Sequence, residues 1–183
     1  MGSDQMIDED TVWYYTWRRL VAAGIEVIGG EPPGGSSPLP RIEMKDPGKT
    51  EKGSRGSRKC DLYAVHESKL LLIEAKDSYL KVQTDIEKLK DIIGDVRWAG
   101  ALWDALSERR LLSKFGFRSR ELFILRRNEI LAPVLAIPPA PRFYPPFGYL
   151  LIETDENKTT VRFEDCRPSS DLNCVINRFI KNE

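Results

Sequence analysis

One histidine, His66, stands in a chain of 183 residues. It falls in a turn between two apolar runs, far along the strand from any acid pair, so a Ser-His-Asp triad and most other histidine-dependent mechanisms are excluded. Cysteine is scarce as well: Cys60, Cys166 and Cys174 make no CxxC pair and no zinc spacing. An odd number of thiols fits a reduced, intracellular protein, and no disulfide framework or structural metal is expected. No segment approaches the ~18–20 consecutive apolar residues of a membrane helix. The amino terminus lacks a basic-then-apolar signal pattern. The expected location is therefore the cytoplasm, with no membrane partner. A G-x-x-x-x-G-K-[ST] phosphate loop is missing, which argues against nucleoside triphosphate hydrolysis. Net charge is absent too, because 28 Lys and Arg balance 28 Asp and Glu; the whole chain is no polycation.

What the chain does have is a pair of apolar runs, Leu62-Tyr63-Ala64-Val65 and Leu70-Leu71-Leu72-Ile73, flanking His66-Glu67-Ser68. They read as the arms of a β-hairpin. With the turn centred between Glu67 and Ser68, every symmetric loop length sets Asp61 opposite Glu74 on one face. Opposed residues of an antiparallel pair have Cβ atoms about 4.5–5.5 Å apart, and like charges there are destabilising. Two carboxylates so placed call for a cation. Lys76, two residues beyond Glu74, shares that face by strand alternation. The apolar run before Glu74 reads as a strand covered on both faces, and charges that end a buried strand need a reason.

Carboxylate oxygens suit hard cations, and Mg²⁺ commonly takes one or two of them while keeping waters for a phosphate substrate. Asp61 and Glu74 are the expected metal ligands, and the backbone carbonyl of Ala75 lies between the motif residues as a further oxygen. A metal held this way lowers the pKa of a bound water and neutralises charge on a phosphoryl oxygen. Lys76 would orient that water or stabilise the negative charge of the transition state. The expected cofactor is Mg²⁺, with Mn²⁺ as its substitute.

Asp61 followed by Glu74-Ala75-Lys76 resembles the motif of the PD-(D/E)XK nuclease superfamily, the restriction-endonuclease-like fold. Cys60 stands where that family usually has proline. The resemblance covers residues 8–107. It implies an α/β fold, a central mixed β-sheet flanked by helices, with Asp61, Glu74 and Lys76 catalytic. Many members also carry a glutamate on the first helix that reaches the metal, and Glu9 is the candidate here. The implied activity is metal-dependent hydrolysis of phosphodiester bonds in DNA, by an endonuclease of restriction, junction-resolving or repair type. A homodimer is expected where both strands are cut. The alternative is a non-catalytic nucleic-acid-binding module that keeps the fold.

Along the chain, residues 1–137 read as the nuclease-like core, interrupted by a long flexible loop over 29–58. Residues 138–183 read as a small C-terminal extension, a β-hairpin plus a helix, packed on the same domain. The core pattern predicts a helix at 8–23, a strand at 25–28, a helical run over 81–107 that Gly94 and Gly100 bend or split, and strands at 121–125 and 134–137. The extension pattern predicts a hairpin around 155–158 and a closing helix from 170. Lys49, Lys52, Arg55, Arg58 and Lys59 lead straight into Asp61 and are the expected contacts to phosphate. A second basic block runs from Arg109 to Arg127. The loop is expected to order on DNA.

Overall fold

The computed structural model describes residues 7–49, 56–114 and 116–138, and beyond them the backbone of two strands, Tyr149–Asp155 and Lys158–Glu164. The first helix, α1, spans Glu9–Ala22. Asp8 caps it by accepting the Thr11 N–H at 2.7 Å, and Glu9 and Asp10 complement the positive end of its dipole. Gly24 ends it in the left-handed region, φ 74°, which lets the Ile25 N–H reach back to the Leu20 carbonyl at 2.9 Å. Val12, Trp13, Thr16 and Leu20 form the buried face, whereas Val21 turns to solvent.

Six strands follow one another in a single mixed sheet: β1 Glu26–Gly30, β2 Leu62–His66, β3 Lys69–Ala75, β4 Leu131–Ile137, β5 Tyr149–Asp155 and β6 Lys158–Glu164. The pairs β1–β2, β2–β3 and β5–β6 are antiparallel, while β3–β4 and β4–β5 are parallel. Leu62 pairs with Ile73 and His66 with Lys69, the register that centres the turn between Glu67 and Ser68. His66 is the last residue of β2 rather than a turn residue, and it is half-buried. The second hairpin closes at Asp155 and Lys158, and its strand β5 adds to the same sheet alongside β4.

The crossover from β3 to β4 carries a 3-10 turn at Tyr79–Lys81, then α2 Gln83–Gly94, α3 Val96–Glu108, a second 3-10 turn at Leu112–Lys114, α4 Arg120–Leu125 and α5 Arg127–Ile130. Strand alternation sends Tyr63, Val65, Leu70 and Leu72 into one core with α2 and α3, and Leu62, Ala64, Leu71 and Ile73 into another with α1. A sheet covered on both faces explains why β3 reads as an uninterrupted apolar run.

The helical run over 81–107 splits after Gly94, as expected: α2 ends there, and Asp95 leaves the helical region and caps α3 by accepting the Arg97 N–H at 2.8 Å. One expectation is corrected. Residues 121–125 are helical, in α4, not a strand. Four consecutive apolar residues carry no period of their own, and the Ser119 hydroxyl, accepting the Leu122 N–H at 3.3 Å, opens a helix that buries Phe123 alone. The strand expected at 134–137 begins earlier, at Leu131, and contains Pro133. Pairing with β5 starts only at Leu135, so the missing proline N–H interrupts no ladder.

Several described residues of the 29–58 segment are tied to the core. Met44 and Arg58 exchange backbone hydrogen bonds of 2.8 and 2.9 Å, and Ile42 and Met44 are buried in the core. The Tyr63 hydroxyl accepts the Cys60 N–H at 2.8 Å and donates to the Ile42 carbonyl at 3.2 Å. Tyr63→Phe therefore leaves both backbone groups unpaired in a buried place. Urea unfolding should show a loss of about 1–3 kcal/mol. Lys52 and Arg55, the proline-rich stretch over 139–148 and the closing helix expected from 170 lie outside the described residues.

Candidate active site

Asp61 enters the sheet one residue before β2, and its backbone is fixed from two sides. Its carbonyl accepts the Trp13 indole N–H at 2.8 Å and the Glu31 N–H at 3.0 Å. Gly30 passes so close that a Cβ there would stand 2.5 Å from the same carbonyl. Gly30→Ala must therefore push Asp61 out of place; about 1–3 kcal/mol of stability should be lost on denaturant unfolding.

The Asp61 side chain crosses to β3, where Oδ2 accepts the Ala75 N–H at 2.7 Å. In an extended strand the N–H and C=O of one residue face the same edge, so the Ala75 carbonyl also looks toward Asp61. Glu74, the penultimate residue of β3, is 1% exposed. Its Oε2 accepts from Lys88 Nζ at 2.6 Å, while Oε1 is buried with no hydrogen-bond partner. The buried Cys60 thiol lies beside this carboxyl, a weak donor at most.

Lys76 follows β3, its N–H bonded to the Ala136 carbonyl at 2.9 Å. Its ammonium meets Glu9 Oε1 at 2.7 Å and Asp85 Oδ2 at 3.8 Å. One lysine at the end of the sheet thus joins α1 to α2. Glu9 does come to the site, but the partner it touches there is Lys76. Gln83, the first residue of α2, is exposed and donates to Glu87 at 3.0 Å.

Asp85 and Lys88 belong to the cluster and were not expected from the sequence. Lys88 Nζ contacts Asp85 Oδ1 at 3.3 Å and the Lys59 carbonyl at 3.1 Å besides Glu74. A signal was present: Asp85 lies on the stripe of α2 that buries Ile86, Leu89 and Ile92, and a charge on a buried stripe marks a polar cluster.

Burial pushes the Glu74 carboxyl well above the usual range, the neighbouring Asp61 adds to the push, and Lys88 opposes it. Asp61 is raised by burial, against the Ala75 N–H and Lys88. Burial works against the charge on Lys88, but Glu74, Cys60 and Asp85 together hold the ammonium above its ordinary value. Lys76 behaves likewise: burial opposes its charge, and the hydrogen bond to Glu9 together with the nearby Asp85 and Asp61 raises it overall. An acid whose folded pKa is raised keeps its proton in the native state after the unfolded chain has released it. From the ordinary carboxylate range upward, stability must then fall as pH rises through the raised range of Glu74 and Asp61. Thermal unfolding in EDTA should show this decline above about pH 4.5, and a divalent cation that binds the ionised acids should flatten it.

The basic residues are mostly engaged within the fold. Arg58 stacks 4.2 Å over the Trp98 ring and bonds Asp91 at 2.8 Å. Lys59 pairs with Glu31 at 2.5 Å, and Lys49 lies 3.7 Å from Asp46. In the second block Lys114 meets Glu26, Arg120 meets Asp104 and Arg126 meets Glu129. The acids that neutralise the blocks come mostly from distant segments, so a window along the sequence overstates the positive charge. A separate groove of about 730 Å³ runs between α3, α4 and residues 43–47, away from the acids, and its charges pair with one another, as Lys45 does with Glu108.

Comparison with protein-family models, curated proteins and solved structures finds no match. The chemistry of the site rests on its own residues. Among the described residues no three His, Cys, Asp or Glu side chains converge on a point; two lysine ammoniums stand among the acids. The remaining oxygens nonetheless fit a hard cation. Glu74 Oε1 lacks a partner, the Asp61 carboxylate lies across from it, and the Ala75 carbonyl faces the same edge. Oxygen donors of this kind match Mg²⁺ or Mn²⁺ rather than a thiophilic metal.

Proposed function

We propose that this protein is a metal-dependent DNA endonuclease of restriction-endonuclease-like fold, hydrolysing phosphodiester bonds. The observation that carries the reading is the unpartnered Glu74 oxygen, buried across from Asp61 at the strand end where Lys76 emerges. A fully buried carboxyl oxygen without a partner is costly, and a divalent cation removes that cost. Asp61, Glu74 and the Ala75 carbonyl would hold Mg²⁺, which when bound acidifies a water and screens phosphoryl charge.

The chain's own groups do the rest. Trp13 and Glu31 fix the Asp61 backbone, and the Ala75 N–H fixes its carboxylate. Lys76, held between Glu9 and Asp85, carries a positive charge beside the acids and would orient the attacking water and stabilise the negative charge on the oxygens of the pentacoordinate transition state. Glu9 positions Lys76. Lys49 and Lys59 are exposed, and their ion pairs are of the weak surface kind that a phosphate readily replaces. DNA is the proposed partner, with two copies of the chain where both strands are cut. Among the described residues no helix is long and apolar enough to cross a membrane.

The test is a panel of supercoiled, linear, single-stranded and four-way-junction DNA in Mg²⁺ or Mn²⁺, beside EDTA and beside Lys76→Ala. Cleavage that needs the metal and falls in Lys76→Ala supports the reading. DNA that is bound yet left whole under every condition would make the protein a binding module instead.

A further inference from the structure

We infer that Lys88 is a built-in cation standing in the place of a second metal ion, so that the site takes a single divalent ion on the Glu74 Oε1 side and keeps Lys88 in position. The inference rests on the metal-site reading above and adds the number of ions and the residue that sets it.

Geometry separates the two sides of Glu74. Oε2 is occupied by Lys88 Nζ at 2.6 Å, and Oε1, equally buried, is without a partner. Lys88 Nζ donates to Glu74 and to the Lys59 carbonyl at 3.1 Å, and forms an ion pair with Asp85 at 3.3 Å. These lie on β3, on the segment leading into Asp61, and on α2 itself. To leave, Lys88 would have to give up all three, so an incoming ion meets less resistance at Oε1. Charge gives the same answer. Glu9, Asp61, Glu74 and Asp85 bring four negative charges when ionised, and Lys76 and Lys88 bring two positive ones. The two negative charges left over are cancelled by one divalent ion; a second would leave the cluster positive in a partly buried place, which is unfavourable.

The experiment counts Mn²⁺ bound to the full chain, by calorimetry and by the paramagnetic signal of free Mn²⁺, without DNA. Wild type, K88Q and K88R are compared, with folding checked by circular dichroism. Wild type and K88R should each bind one ion. K88Q should bind a second ion, or bind the first at least about tenfold more tightly, the scale expected when one unit charge is removed a few Å away. A merely structural lysine would change the melting temperature but not the count or affinity. Two ions in wild type, or a K88Q that binds the same number with the same affinity, overturns the inference and leaves the metal-site reading standing. No Mn²⁺ on any of the three overturns both. If K88Q does not fold, wild type and K88R decide: one ion in each supports the inference, and two in either overturns it. One bound ion without DNA cleavage would sink the nuclease reading while the inference holds.

Discussion

On the proposed nuclease reading, Asp61→Asn is expected to cut DNA at least about 10²–10³-fold more slowly than wild type in Mg²⁺, the loss typical of removing one preorganised electrostatic group, without becoming less stable. The substitution is nearly isosteric, and the amide oxygen of asparagine still accepts the Ala75 N–H that Asp61 holds at 2.7 Å. What disappears is the negative charge across from Glu74, which is one of the causes that raise the Glu74 carboxyl. Removing it relieves a like-charge repulsion in a buried place, so the metal-free variant should melt at or above the wild-type temperature. Activity and stability then move in opposite directions, the pattern of a strained functional site. Initial cleavage rates on the best DNA of the panel, read beside thermal unfolding in EDTA, test both halves. A variant that lost stability and rate together would mean that Asp61 is an ordinary structural residue.

The second large effect concerns the Glu74–Lys88 pair. Lys88→Met should cost about 3–5 kcal/mol in urea unfolding, because it strands a buried carboxylate. Glu74 is 1% exposed and already lacks a partner at Oε1, and the Cys60 thiol beside it is too weak a donor to take the place of Lys88. Glu74→Gln removes the charge in a similar shape and should cost less. In the double variant the cost should fall well short of the two single costs together, with an interaction of about 0.5–3 kcal/mol. Additive losses would show that the two side chains stabilise the fold independently, against the 2.6 Å contact between them.

Much of the site was legible in the sequence because its central element is local. A hairpin with a short turn can be registered by counting outward from its centre, and the pairing of Leu62 with Ile73 leaves Asp61 facing Glu74 as that counting requires. The first helix was legible for the same reason: Asp8 caps it, Gly24 ends it, and Trp13 and Leu20 recur on its buried face. Residues 121–125 were misread as a strand because a short unbroken apolar run fits either element, and only packing of Phe123 beneath α3 decided for a helix.

The amino-acid sequence by itself determined the hairpin, its register, the opposition of two acids and the lysine that follows them. These depend on alternation and on the spacing of neighbours along the chain. Tertiary structure alone decided what surrounds them. Lys76 takes Glu9 from 67 residues away, Lys88 takes Glu74 from the preceding strand, and Arg58 gives its charge to Asp91 and its face to Trp98. Pattern along a chain specifies which face a side chain occupies. Which opposite charge waits there depends on how separate elements close over the sheet, and no local period encodes that.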